Sequence, residues 1–524
     1  MVPAPELASK EFTKVVDALW EKSKEDYIKS PENFFADINK IYEDKKLFVC
    51  MHSSEVLPGY LVSARCMVQN TLAPEYFPLS CTISDGNEKK ETTGCLRDYF
   101  GEDIKEIVDH GTHGCRNVYK MVMVPGASDW WINEFSESHT TALCKREEDA
   151  MDTNSSTPTP SKVSEFIAKI FDGSTPELKP NTVVDVYGYL STPVHEQTES
   201  QEEITAPKYY NVHVLRVEEV CHTQPPTLDA LTISDPTSLR SELIKEISTI
   251  LGSSAAADTF VNFLVSTTYS RPGGTPLCFF PLNVAGVKDV QSSKSIIEMV
   301  QHLMPKVKVL TLSPDLLCKK RFAPVKNYDA DELLQGELQL SNGTVLIIDE
   351  TQLPKGSFPV SGFVEENLKV LEDLIVDHRM QYDYGFYKIA MDVDYNILIL
   401  SEKESKFFKT PFRVPFQSNS AEVKLDPKNI EQKRHFIQQS RSSVSTISLS
   451  DEVSKKIQDN FVTLCSTLDK KIDKAAYLNE MLIMSRLVAS SNGSEAVEFE
   501  HWEHAVRMSA ANTSAMSSWR SQHV

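Results

Sequence analysis

The chain has 524 residues, 41% apolar and 9% aromatic, with 74 acidic against 54 basic residues and a formal net charge of −20. This length allows about two to four domains at roughly 100–200 residues each, and the composition is ordinary for a soluble globular protein. Counterion release needs Lys and Arg against phosphates, so the acidic balance argues against DNA as the main partner. It fits simple solubility, or encounter with a basic protein. The ten cysteines run from Cys50 to Cys465 with no Cys-x-x-Cys pair, the usage of a reduced, intracellular chain. Met1 to Asp26 has no signal pattern, and no apolar run approaches the ~18 residues of a membrane helix. A cytosolic or nuclear protein without membrane contact is expected.

In chain order, residues 1–45 read as a helical segment, with Phe12, Val15, Val16, Ala18 and Leu19 at helical spacing. Residues 46–221 read as β-rich, with strands expected at Tyr60–Gln69, Val118–Val124, Thr182–Leu190 and Asn211–Val217. Short strands separated by turn residues predict a small barrel or sandwich. Tyr187-Gly188-Tyr189 resembles part of an oligonucleotide/oligosaccharide-binding (OB) barrel, whose strands are bent by glycines. Ser136–Ser161 is rich in Ser, Thr, Pro and acids, so a mobile insertion is expected at 136–161; Pro193–Pro207 is similar and shorter.

A linker is expected at 222–238, and then an alternating α/β domain at 239–409. Its helices are expected at 239–251, 255–268, 294–303 and 367–377, and its strands at 278–284, 307–312, 343–349 and 396–401. Residues 410–450 read as a polar, Ser-rich connector. Helices at 453–469, 475–490 and 499–508 make 451–510 a helical lid, and 511–524 a tail.

Gly343 to Glu350 is a hydrophobic strand ending in Asp349-Glu350. P-loop ATPases use such a pair to hold magnesium and orient water. Their phosphate loop is Gly-x-x-x-x-Gly-Lys-Ser/Thr, and none precedes this strand. The loop after 278–284 has Gly286 and, at the helix start, Lys294-Ser295. However, Ser293 stands where glycine should precede the lysine, and seven residues rather than five separate Gly286 from Lys294. Lys294, Ser295, Asp349 and Glu350 are therefore read as vestigial Walker-like positions. A plainer reading has the carboxylates capping the turn at Thr351-Gln352.

His110-Gly-Thr-His113-Gly-Cys115 offers imidazole and thiolate for zinc, but no second cluster completes the set and a polar turn is expected. No Gly-x-Ser-x-Gly elbow supports a serine triad. Trp130-Trp131 beside Asp129 and Glu134 reads as a protein anchor, a stacking platform or core. Lys306, Lys308, Lys319, Lys320 and Arg321 form a basic stretch, suited to nuclear import, an acidic partner or a solvated edge.

Gly336 to Glu350 resembles a segment of minichromosome maintenance (MCM) helicase subunits. Ala475–Met508, with Leu487-Val-Ala-Ser490 and Phe499-Glu-His-Trp-Glu-His-Ala505, is similar to their helical lid. The chain departs from them in its degenerate lysine loop, in Ser401-Glu402 where a sensor asparagine would stand, and in lacking a Ser-Arg-Phe-Asp arginine finger. It resembles the MCM complex-binding protein family over nearly its whole length. Val62–Gln69 with Pro74-Glu-Tyr76, Val122–Trp130, Leu264–Arg271 with Pro281-Leu-Asn283, and Ile348–Thr351 with Gln381-Tyr-Asp-Tyr384 carry that likeness. The resemblance implies a nuclear, non-enzymatic binder of MCM subunits, a chaperone or unloading factor in DNA replication and sister-chromatid cohesion. It implies no cofactor, metal or stable DNA contact. The alternative is an active AAA+ ATPase remodelling MCM assemblies. The fold expected is an OB-like domain, a degenerate AAA+-like α/β domain and a helical lid.

Overall fold

The computed structural model describes residues 5–86, 88–98, 100, 104–139, 163–171, 177–191, 209–222, 233, 235–354, 361–405, 407–417, 429–467 and 472–523. Most of the expected insertion at 136–161, the segment 193–207 and residues 223–232 of the expected linker lie outside them. The chain divides into two compact units, 1–125 with 129–220 and 126–128 with 221–524. It is mixed α/β.

The first unit begins with helices α1 (Pro5–Lys29) and α2 (Pro31–Ile41). Phe12, Val16, Trp20, Phe34, Phe35 and Ile38 are buried, one apolar stripe at helical spacing on each helix. Phe12 stacks on Tyr189 with ring centroids 4.4 Å apart, and Phe35 on Phe171 at 4.2 Å, fixing both helices to the sheet.

That sheet closes on itself through β1 (Leu61–Thr71), β2 (His113–Met123), β3 (Glu165–Phe171), β4 (Val183–Ser191) and β5 (Tyr210–Glu219). β1 pairs with β2 and β4, β2 with β3, and β4 with β5, all antiparallel. β3 and β5 pair in parallel and complete the ring. Alternate residues fill the interior: Val62, Ala64, Cys66 and Val68; Phe166, Ala168 and Ile170; Val184, Val186 and Leu190. This is the period-two pattern of a barrel wall. At Gly188 a Cβ would stand 2.5 Å from the His213 carbonyl oxygen, so β4 and β5 approach this closely only because the side chain is missing. Strand β3 was not expected from the sequence.

The second unit is built on a five-stranded parallel sheet of β6 (Leu282–Ala285), β7 (Val307–Thr311), β8 (Val345–Asp349), β9 (Asn396–Ser401) and β10 (Phe412–Pro415), ordered β7-β8-β9-β6-β10. Both faces are covered, as a parallel sheet requires. Val345, Ile347, Leu398 and Leu400 pack against α4 (Pro236–Leu251), α5 (Ser254–Val265) and α6 (Val290–Leu303). Leu346, Ile348, Ile397 and Ile399 face the other way, toward Leu371 and Leu374 of α7 (Val364–Val376). A four-stranded sheet lies beyond α7, ordered Glu332–Leu334, Val325–Asn327, Arg379–Asp383, Lys388–Asp392.

Of the expected connector at 410–450, residues 418–428 lie outside the described residues, and the others are not a polar linker. They carry β10 and helix α8 (Ile430–Ser443), whose Phe436 and Ile437 join the core while Lys433 and Arg441 are buried in ion pairs and hydrogen bonds. Helices α9 (Asp451–Thr467), α10 (Lys474–Ser491) and α11 (Phe499–His523) follow. The expected tail at 511–524 is, as far as His523, the second half of α11, with Met516 and Trp519 buried three residues apart on one face.

Candidate functional site

The C-terminal edge of the parallel sheet is where an open α/β fold binds ligands. There the order of the strands sets the end of β9 between those of β6 and β8. The loop after Ala285, Ser401 and the pair Asp349-Glu350 therefore share one edge.

The loop does not form an open phosphate cradle. The amides of Gly286 and Val287 both donate to the Ser401 carbonyl, at 2.9 and 3.0 Å, instead of pointing into a cavity. Gly286 has φ +100°, and a Cβ added there would meet the Trp519 indole nitrogen at 2.8 Å. Ala285, Met516 and Trp519 form a small buried cluster, so α11 packs directly on the loop. At the N-terminus of α6, where helix amides favour an anion, the cap is Asp289, whose carboxylate accepts from the Ser292 amide and hydroxyl, each at 2.8 Å. These bonds hold its carboxyl below the usual range. A phosphate would have to displace a bound negative charge.

Asp349 is buried and fully engaged. Its Oδ2 accepts from the Ser293 hydroxyl at 2.7 Å, and its Oδ1 from the Thr351 amide and hydroxyl at 2.9 and 2.7 Å. The residue that replaces the loop glycine thus ties the loop helix to the carboxylate strand, while Thr351 makes the capped turn. Glu350 accepts from the Ser405 hydroxyl at 2.7 Å. Burial pushes its carboxyl up to about 7; the Ser405 hydrogen bond opposes the shift and the Asp349 charge adds to it. Asn283 donates to the Ser401 hydroxyl at 2.8 Å and to the Ile399 carbonyl at 3.1 Å.

Of the four positions expected to be Walker-like, the structure brings Asp349 and Glu350 to this edge and turns the other two away. Lys294 is exposed, its ammonium 3.7 Å from Glu298 one turn along α6. Ser295 donates to the Gln291 carbonyl of its own helix at 3.1 Å. The sequence reading missed Ser405 and Trp519 as site residues, and it noted Ser293 only as a lost glycine and Ser401 only as a departure from a sensor asparagine. No local motif marks these, because each partner lies 50 or more residues away.

The other candidates are accounted for locally. His110 bonds the Ser80 and Thr82 hydroxyls at 2.8 Å, and His113 the Asp109 carboxylate at 2.6 Å; both flank a turn with Gly111 at φ +81°. Among the described residues no cluster of three or more His, Cys, Asp or Glu side chains has the arrangement of a metal site. Trp131, on helix α3 (Asp129–Glu137), covers Arg65 with the guanidinium carbon 4.6 Å from the ring centroid. Arg65 itself makes a two-pronged pair with Asp185. Trp130 is half-buried on the same helix. The basic stretch is dispersed: Lys306 is buried on Ser341, Lys308 pairs with Glu337 at 2.9 Å, and Lys319 with Asp315. Among the described residues no helix is long and apolar enough to cross a membrane.

The chain matches the family described as mini-chromosome maintenance replisome factor, over residues 47–162 and 133–516. It is 25% identical over 556 aligned positions to the Mini-chromosome maintenance complex-binding protein of Salmo salar, covering 86% of this chain and 87% of that one. The protein of the same name in Drosophila melanogaster is 24% identical, covering 86% and 88%. In Arabidopsis thaliana the figures are 26%, 64% and 60%.

Proposed function

The chain belongs to the mini-chromosome maintenance replisome factor family, and we propose that it is a non-enzymatic nuclear protein that binds MCM helicase subunits. In this reading the second unit is a degenerate AAA+-like domain with α8–α11 as its lid, and the first unit is an OB-like barrel. Support for the AAA+-like reading comes from a parallel sheet that gathers the loop of its first strand and the Asp349-Glu350 strand at one carboxyl edge. The barrel's five strands, with β3 and β5 as its parallel pair, support the OB-like reading.

One observation carries the non-enzymatic reading: the loop that should grip triphosphate is closed by Trp519 and capped by Asp289. A domain of this kind offers a helicase subunit a neighbour's outline without completing a shared ATP site. It thereby keeps a ring from forming or loosens one already made. This is the work of a chaperone or unloading factor in replication, and cohesion of sister chromatids would depend on it indirectly. The names of the relatives, which call them MCM complex-binding proteins, point the same way. The charge of −20 keeps DNA from competing for the surface.

The second reading, an active ATPase, has in its favour a Glu350 carboxyl poised near neutral pH beside Asp349. Phosphate release by the full chain, measured with MCM subunits present, decides between them. The non-enzymatic reading expects binding, and no turnover in either wild type or Glu350→Gln. Turnover abolished by Glu350→Gln would overturn it.

A further inference from the structure

The four-stranded sheet beyond α7 has features that neither the barrel nor the closed loop explains. Its last strand, Lys388–Asp392, pairs with Arg379–Asp383 on one side, and among the described residues no strand lies on the other. A free sheet edge offers a row of backbone donors and acceptors that another extended backbone can satisfy.

Beside that edge stands a cluster of exposed rings. Phe386 is 89% exposed, Tyr387 55% and Tyr328 52%, and Ile389 on the edge strand is 41% exposed. The cluster is held in shape. Tyr328 donates from its hydroxyl to the Tyr384 carbonyl at 2.8 Å and lies 5.7 Å from Phe386, while Tyr384 and Tyr387 stack at 5.2 Å. The turn is set by Gly385 at φ +71°, with its amide on the Asp383 carboxylate at 2.7 Å. Aromatic anchors fixed before binding lose little entropy on contact, which is the character of interface hot spots.

The surrounding charge selects the partner. Asp329, Asp331, Glu332, Asp383 and Asp392 outnumber Arg271, Lys326, Arg379 and Lys388, which pair with Asp392, Asp331, Asp392 and Asp383 in turn. A nucleic acid would meet net negative charge here, whereas Lys or Arg side chains would find carboxylates and aromatic faces. Next to the same strand pair, a groove of about 350 Å³ has Phe322, Val325 and Val370 among its lining, with Lys369, Asp383 and Lys388 also around it. It has room for an apolar side chain of the incoming segment.

We infer that this sheet is a docking site for an extended segment of an MCM subunit bearing Lys or Arg, which adds as a fifth strand along Lys388–Asp392 against the aromatic turn. The inference rests on the reading given under Proposed function. The test is binding of the full chain to each purified MCM subunit, with hydrogen exchange following residues 379–392. Two variants are compared with wild type: the double change Phe386→Ser with Tyr387→Ser, which removes the anchors, and Ala390→Lys, which places a charge on the free edge. The expected result is a loss of about tenfold or more in affinity for one subunit in both variants, unchanged melting, and slowed exchange at the edge strand on binding by wild type. If wild type binds and both variants bind equally well, the docking site is overturned alone. A failure of wild type to bind any subunit overturns the function and this inference together. Loss in the variants of self-association, or of binding to a poly(dT) oligonucleotide, in place of subunit binding would overturn it by naming a second copy or nucleic acid as the occupant.

Discussion

At the N-terminal end of β9, Asp394 sits among groups that match its charge; at the C-terminal end, Asp349 and Glu350 do not. Asp394 accepts from His222 at 3.0 Å, from the Thr267 hydroxyl at 2.7 Å and from the Thr268 amide at 3.0 Å. Burial works to raise its pKa, but the His222 hydrogen bond and the nearby Arg441 guanidinium overcome it and hold the carboxyl well below the usual range. Asp349 and Glu350 have hydroxyls and one amide instead, and among the described residues neither has a cationic partner. A buried carboxylate without a cation is costly. One end of the sheet is therefore built for stability. The other holds its two carboxylates on hydroxyls and an amide alone.

Three changes test that contrast. Asp394→Ala should be the most damaging, because it removes the carboxylate whose charge offsets that of buried Arg441 and strands three donors; the expected cost is about 3–5 kcal/mol in chemical denaturation at pH 7. A loss below about 1 kcal/mol would mean that the network contributes little.

Titration sharpens the comparison next. His378, lowered by burial to about 4, stays neutral in the fold while the unfolded chain protonates near 6.5. Stability should therefore fall as pH drops from about 6.5 through about 4. Glu350 runs the opposite way. Its folded value near 7 lies above the ordinary ~4.3, so the unfolded chain ionises first and stability is lost as pH rises from about 4 through 7. Glu350→Gln should stabilise by about 1–3 kcal/mol at pH 8 and by nothing measurable at pH 4. A difference independent of pH would show that Glu350 is not held as described.

Lys294→Ala should do least. With an exposed ammonium it should change stability by no more than about 0.5 kcal/mol and leave MCM binding untouched; a strong effect on either would place Lys294 back in a working site.

Much of this was legible in the chain because it is local. Four barrel strands followed from runs such as Tyr60–Gln69, and β8 from an unbroken apolar run ending in two acids. What escaped was non-local or unusually polar. Strand β3 alternates Phe166, Ala168 and Ile170 with Glu165, Ile167 and Lys169, but it follows a long Ser/Thr-rich segment that hides its start. Helix α8 points Lys433 and Arg441 inward, so its buried face does not read as apolar. Strand β10 has four residues and ends in Pro415, which looks like a loop. In α11 the buried face past Met508 includes Met516 and Trp519 among Ser and Ala, too thin a stripe to count. At the site, the Asp-Glu string announced itself, whereas its ties to Ser293 and Ser405 span more than fifty residues.

The indole set against Gly286 also bears on redesign of the loop. Swapping a consensus phosphate-binding sequence into residues 286–295 would not by itself open a phosphate cradle, since the room it needs belongs to a side chain more than two hundred residues downstream. Opening the loop therefore calls for a smaller side chain at Trp519 as well as a new loop, since the Ala285, Met516 and Trp519 cluster fills that space.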